Sequence, residues 1–261
     1  MVFMMSNNPL KSTTTDFESH ASALAEAWLI LMQKKQYHEA NRLCIDFLEN
    51  YSSAFKGRAL EIDEDGYNKL LILLVFFKGL HDEVQLCQIT NDRNWYEDKT
   101  TVERVWIKLC DCRERIQFSS QYYQGEVINR VLSDLEDLEE FFRDVFGNGC
   151  YFSSGIIADA SLCNICNQDC RGCSHIAGRL YSGKICSYQL VNPQLDHVGL
   201  VKIPKDLRCR VWSWQIKNNE DGSIRIDAAC ILTSFSVDDF LQDSKRIVVR
   251  TTLYRVAHLC I

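Results

Sequence analysis

Residues 163–175 read CNICNQDCRGCSH, and this short segment decides how the C-terminal half of the chain can fold. Cys163 and Cys166 have the two-residue separation that lets a tight turn direct two thiolates at one cation. Cys173 and His175 follow closely, and three thiolates with one imidazole suit the borderline-soft, tetrahedral Zn²⁺ ion. The surrounding sequence has no long apolar stretch, so a bound metal would replace a local hydrophobic core. We therefore predict one structural Zn²⁺ ion at these four residues.

The same segment leaves the ligand set open. Cys170 and Cys186 are spare, and either can replace His175 to give a four-cysteine site. The spacing from Cys166 through Cys170 to Cys173 also matches the iron–sulfur loop of radical SAM enzymes, and four cysteines of the segment suit a [4Fe–4S] cluster. However, only 88 residues follow Cys173, and they alternate as antiparallel strands do. Zinc is therefore favoured over an iron–sulfur cluster.

The cysteine content bears on the compartment. The chain holds 13 cysteines in 261 residues, and its N-terminus, MVFMMSNNPLKS, lacks the basic and apolar segments of a secretory signal. We therefore expect a cytoplasmic protein whose thiols stay reduced and bind metal rather than form disulfides. The most apolar run, residues 70–77, has eight residues against the roughly 20 that span a bilayer, so no membrane association is expected.

The two halves of the chain differ in pattern. Proline is absent from residues 10–192, and apolar residues recur at helical spacing up to the glycine pair around Asn148, a typical helix stop. Period-two alternation follows. We predict an α+β fold with a flexible N-terminus at residues 1–15, an acidic helical bundle over 16–148, and a zinc-knuckle-containing, mainly antiparallel β domain over 149–261.

Two details of the helical half are open to test. The sequence favours two separate helices around 67–79 and 81–90, with Gly79 ending the first. Residues 128–145 carry a heptad seam of apolar residues. The seam packs within the bundle, or alternatively forms a homodimer through a short coiled coil. Its residues are Ile128, Val131, Leu135, Leu138, Phe142 and Val145.

Charge divides the chain in the same way. Residues 1–145 hold 16 Lys and Arg against 25 Asp and Glu, a balance of −9, whereas residues 146–261 hold 13 against 10, a balance of +3. The acidic half is unsuited to nucleic acid, because phosphate contacts need clustered cations, and we expect it to dock a protein partner. In the basic half, one predicted strand places four residues on one face, as in proteins that hold single-stranded nucleic acid, although core packing is the favoured interpretation. These residues are Arg208, Arg210, Trp212 and Trp214.

Catalytic motifs are missing from the sequence. It contains no H-E-x-x-H, no H-x-E with P-C-x-x-C, no P-loop and no G-x-S-x-G, and no glutamate between Glu140 and Glu220. Four ligands within thirteen residues indicate a closed structural site rather than a catalytic one. We therefore predict a non-enzymatic interaction or adaptor protein. A nucleic-acid-binding protein is the first alternative, and a cryptic zinc or cysteine hydrolase is the second.

The pattern C-x2-C…C-x-H-I-x-G-x-x-Y-x-G-x-x-C, followed by L-V-x-x-P, resembles a small zinc-knuckle segment of uncharacterised bacterial and phage-associated proteins. The matching residues are Cys163, Cys166, Cys173, His175, Ile176, Gly178, Tyr181, Gly183, Cys186, Leu200, Val201 and Pro204. The resemblance implies the first four as the zinc ligands and a bacterial antiviral defence setting, and it implies no activity. Asn167 departs from the glycine common after the second cysteine, but asparagine tolerates the left-handed conformation of such a turn.

Overall fold

The computed structural model describes residues 14–218, 222–227 and 247–250, with side chains over 17–212. In these ranges, five α-helices precede nine short β-strands, which confirms the predicted α+β class. The helices are α1 (Thr14–Gln33), α2 (Tyr37–Lys56), α3 (Glu64–Thr90), α4 (Lys99–Ser120) and α5 (Glu126–Phe146). The strands are β1 (Tyr151–Ile157), β2 (Ala160–Cys163), β3 (Leu180–Tyr181), β4 (Lys184–Ile185), β5 (Tyr188–Val191), β6 (Gln194–Val201), β7 (Ser213–Asn218), β8 (Gly222–Asp227) and β9 (Ile247–Arg250). The N-terminus predicted to be flexible lies almost entirely outside the described residues.

Helix α3 is the central element of the bundle. Asp63 caps it, since its Oδ1 accepts the Gly66 N–H at 2.7 Å. Every residue of the apolar run 70–77 is buried, because two different sets of neighbours cover the helix. Leu70, Leu73, Leu74, Phe76 and Phe77 face the main core of the bundle. Leu71, Ile72 and Val75 face Phe118 of α4 and the β3–β4 hairpin. No helix in the described part of the chain has the length and apolar character that a membrane crossing requires.

The prediction of two helices in this region is wrong, because α3 runs unbroken through Gly79. A Cβ atom on this glycine would lie 2.8 Å from Cδ1 of Ile116 in α4. Gly79 therefore marks the close approach of two helices rather than the end of one.

Two adjacent carboxyl groups of α3 are buried in different surroundings. Asp82 pairs with Lys108, whose Nζ lies 3.1 Å away. Glu83 instead accepts from the thiol of Cys87 at 3.4 Å and faces Cys112. Burial raises the pKa of Glu83, and the charge of a nearby carboxylate adds to this, bringing it to about 7.

Helix α5 turns most of its heptad seam toward the core of its own chain, whereas the last seam residue, Val145, is exposed. Ile128, Val131, Leu135 and Phe142 are buried there. This agrees with packing within the bundle. Gly147 ends the helix with a φ of 71°, a backbone conformation that glycine adopts readily.

The β-rich half consists of small antiparallel sheets rather than one large sheet. β1 pairs with β6, β2 with β5 and β3 with β4, and β7 lies between β8 and β9. β7 and β8 pair as antiparallel neighbours, with Asn218 at the end of β7 opposite Gly222 at the start of β8. The strand predicted to carry Arg208, Arg210, Trp212 and Trp214 is corrected. Leu207–Cys209 forms a 3-10 helix, and β7 begins only at Ser213.

Arg210 joins the two halves of the chain. Its buried guanidinium donates from Nη2 to the carbonyl oxygens of Phe146 and Gly147, each at 2.9 Å. The same group lies over the rings of Trp106 and Trp212, at 4.9 and 5.0 Å from their centroids. The apolar core of the helices therefore continues past the helix-to-strand transition, since it includes Trp212.

Candidate metal centre

The centre begins where strand β2 ends. Cys163 is the last residue of β2, and its carbonyl oxygen accepts the Asn167 N–H at 2.8 Å, which closes a tight turn around Cys166. Asn167 has a φ of 58°, the left-handed conformation that asparagine tolerates. This turn directs two thiols toward the same side, as the C-x2-C spacing predicts.

Four donor atoms converge beside this turn. The sulfurs of Cys163, Cys166 and Cys173 and a ring nitrogen of His175 all lie within 4.8 Å of one another. Cys173 Sγ is 3.4 Å from Cys166 Sγ and 3.3 Å from Nδ1 of His175. Zn–S bonds of about 2.3 Å in a tetrahedron place neighbouring sulfurs roughly 3.8 Å apart, so the group is close to the required size. The four residues predicted from spacing can therefore hold a metal ion.

The two spare cysteines, Cys170 and Cys186, do not belong to this group of four. Cys186 is buried, and its sulfur lies 3.8 Å from that of Cys163. Cys170 is half-buried, and its backbone N–H donates to the carbonyl oxygen of Ser161. The structure thus places one spare thiol in contact with a ligand and the other outside the donor group.

Backbone N–H groups favour the thiolate form of one candidate ligand, Cys163, but not that of Cys173. Burial raises the pKa of Cys163, but hydrogen bonds from the backbone of Cys166 and Ile165 outweigh it and lower the pKa to about 6. Burial and the neighbouring thiols raise the pKa of Cys173 to about 11. The thiolates therefore repel one another, and a cation among them would remove that repulsion.

Two tyrosines hold the histidine ligand. The ring of Tyr181 meets that of His175 edge-on, with centroids 4.6 Å apart. The hydroxyl of Tyr188 donates to the His175 carbonyl oxygen at 2.6 Å. Such contacts around a metal ligand fix its orientation. The sequence motif includes Tyr181, but Tyr188 carries no motif signal and is identified only by the pairing of β5 with β2.

The centre rests on the helical bundle through the β3–β4 hairpin. The Gly183 N–H donates to Oδ1 of Asn68 in α3 at 2.7 Å. Arg58, which follows the end of α2, donates to the carbonyl and hydroxyl oxygens of Ser182. Gly183 has a φ of 72°, and a Cβ atom there would lie 3.1 Å from Cβ of Tyr67. Glycine is therefore required both by backbone conformation and by the close approach to α3.

The arginine–tryptophan set is not an exposed face. Trp212 is 3% exposed and belongs to the core, as the favoured interpretation holds. Arg210, which that interpretation places at the solvent-facing end, is also 3% exposed, so this part of it is wrong. Arg208 forms an ion pair with Asp111 of α4, with Nη1 and Oδ1 2.7 Å apart. Arg210 and Trp212 therefore do not contribute to the exposed nucleic-acid-binding face of the alternative prediction. The chain forms no strand at these two residues, and both side chains are buried. The side chain of Trp214 lies outside the described residues.

Comparison of the chain with protein-family models, with curated proteins and with solved structures found no match. The functional inference therefore depends on the geometry of the centre and on the surfaces around it.

Proposed function

We propose that this chain is a non-enzymatic interaction protein whose β-rich half is held in shape by one Zn²⁺ ion. The convergence of four zinc-type donors at the end of β2 carries the proposal. The segment that supplies them has only the two-residue strands β3 and β4 between the third cysteine and Ile185. Without many apolar contacts of its own, such a segment gains its folding free energy from metal binding.

The donor set favours a structural ion over a catalytic one. Three thiolates and one imidazole fill a tetrahedron, whereas a catalytic zinc keeps a position open for water or substrate. The sequence nearby also supplies no glutamate as a general base, since there is none between Glu140 and Glu220. These features support a closed site that shapes the protein around it.

Zinc content tests this part of the proposal. We expect one zinc per purified chain by elemental analysis, loss of zinc in Cys166→Ser, and full zinc content in Cys170→Ser. Cys170 is a matched control, because it is half-buried like Cys166 and lies in the same loop. Iron in place of zinc, or loss of zinc from the Cys170 variant, would contradict the assignment.

The acidic surface of the bundle supports a protein partner of opposite charge. Helix α5 exposes Glu136, Asp137, Glu140 and Asp144, and the helical half carries a balance of −9. A surface of one sign steers an oppositely charged protein toward it and repels nucleic acid. We therefore infer that α5 docks a basic segment of a partner protein.

Charge reversal tests the docking surface. Partners that copurify with the tagged chain from its source cells should be lost in the double variant Glu136→Lys/Glu140→Lys. The double variant Glu39→Lys/Glu49→Lys is the control, since it makes the same charge change on exposed positions of α2. Retention of every partner by the α5 variant would contradict the proposal. A salt-dependent shift of single-stranded RNA or DNA would favour the nucleic-acid alternative.

A further inference from the structure

The centre holds one more thiol than a Cys3His site uses. Two close S···S contacts join the four thiols in two pairs, within a group whose three ligand sulfurs all lie within 4.8 Å of one another. Cys166 Sγ lies 3.4 Å from Cys173 Sγ, and Cys163 Sγ lies 3.8 Å from Cys186 Sγ. All four are free cysteines. Each thiol therefore has a partner within reach of a small side-chain rotation.

The second pair follows from strand pairing rather than from the metal. Cys163 lies opposite Tyr188 in the β2–β5 ladder. Just beyond it, the Asn164 N–H donates to the Ser187 carbonyl oxygen at 3.0 Å. These backbone bonds, rather than a bond to a metal, place Cys186 beside the ligand.

The thiol of Cys186 allows a site with three thiolate ligands to be oxidised reversibly. Oxidation of two ligands to a disulfide leaves the third thiolate without a partner. A thiolate in that position proceeds to sulfinic and sulfonic acids, which thiols do not reduce. Cys186 removes the difficulty, because it provides the partner that Cys163 would otherwise lack.

We propose that the metal centre is a peroxide-sensitive site. Oxidation releases the zinc and converts its three thiolate ligands and Cys186 into two reducible disulfides. This rests on the zinc site of the proposed function. The half-buried Cys166–Cys173 pair is the one that an oxidant reaches first. Cys163 and Cys186, 1% and 2% exposed, are reached after the zinc has lost two ligands.

Hydrogen peroxide is the oxidant, and each disulfide consumes one molecule of it. A ligand thiolate attacks the peroxide, the O–O bond breaks, and a sulfenic acid and hydroxide form. The partner thiolate then displaces hydroxide from that sulfur and forms the S–S bond. In sum, three zinc-bound thiolates, one thiol, two peroxide molecules and three protons give two disulfides, free Zn²⁺ and four water molecules.

The experiment follows zinc and disulfides together in the full chain. Zinc-loaded protein is treated with hydrogen peroxide, zinc release is read with a chromogenic chelator, and disulfides are mapped by mass spectrometry of an unreduced digest. We expect one zinc released per chain, with Cys166 joined to Cys173 and Cys163 to Cys186. Dithiothreitol followed by zinc should restore one zinc per chain.

Two variants isolate the role of the spare thiol. Cys186→Ser should bind one zinc and release it under peroxide, but Cys163 should then gain two oxygen atoms, and zinc binding should not return after reduction. Cys170→Ser should behave as the parent chain. Recovery of zinc by Cys186→Ser, a disulfide that joins Cys163 to any other cysteine, or failure of the fresh variant to bind zinc would overturn the proposal. A parent chain purified without zinc would instead refute the proposed zinc site itself.

Discussion

Replacing Arg210 by alanine should lower the free energy of unfolding far more than replacing an exposed arginine. The side chain is 3% exposed and is the only donor described here to the carbonyl oxygens of both Phe146 and Gly147 at the end of α5. Truncation removes both hydrogen bonds and the cation between two indole rings. It also removes the side-chain contact between the end of α5 and the β-rich half of the chain.

The size of the loss follows from these contacts. A hydrogen bond to a charged group contributes about 1.5–3 kcal/mol, and removing one partner of a buried charged contact costs about 3–5 kcal/mol. Desolvation of the guanidinium offsets part of this, so we expect about 3–5 kcal/mol for Arg210→Ala. Arg210→Lys keeps the charge but has no planar fork for two carbonyl groups, so its loss should be smaller, about 1–3 kcal/mol.

Urea unfolding in the presence of zinc, followed by helical circular dichroism, measures these differences. Arg130→Ala is the control, because that arginine is 58% exposed and pairs only with Asp134 on the same helix, a contact of about 0.3–0.5 kcal/mol. A loss for Arg210→Ala below about 1 kcal/mol, or equal to that of Arg130→Ala, would refute the assigned role.

Two further substitutions test the α3 environment. Since the pKa of Glu83 is raised from 4.5 to about 7, its contribution to stability is fully present below pH 4.5 and is lost as pH rises toward 7. Stability of the parent chain relative to Glu83→Gln should therefore fall by about 1.4 kcal/mol per pH unit across that window, measured by urea unfolding, and a flat difference would contradict this. Gly183→Ala should lose about 1–3 kcal/mol through strain and the contact with Tyr67. Gly178→Ala, with a φ of 82° and no neighbour within 4 Å of the added carbon, should lose less, and equal losses would exclude the contact.

The features predicted well from sequence are those whose signal is local. Cys163, Cys166, Cys173 and His175 lie within thirteen residues, so their spacing alone limits the turns that connect them. The change from helices to strands was also readable, since the periodicity changes beside Gly147. The structure adds the distances between the donor atoms, which spacing cannot supply.

The features missed are those that depend on partners far along the chain. Gly79 reads as a helix end until Ile116 of another helix is seen against it. Arg210 reads as a surface cation until its bonds to Phe146, 64 residues earlier, are known. The contact of Cys186 with Cys163 depends on which strands pair, and a single sequence gives no signal of that pairing.

With the proposed zinc ion in place, the burial of α3 on two sides would link metal supply to the lifetime of the protein. Leu71, Ile72 and Val75 are covered by the hairpin that follows the metal-binding segment. Loss of the proposed ion would remove support from that hairpin and would expose an apolar stripe on the central helix. Chaperones and proteases act on such surfaces in cells, so zinc scarcity would lower the abundance of this protein before it altered any contact with a partner.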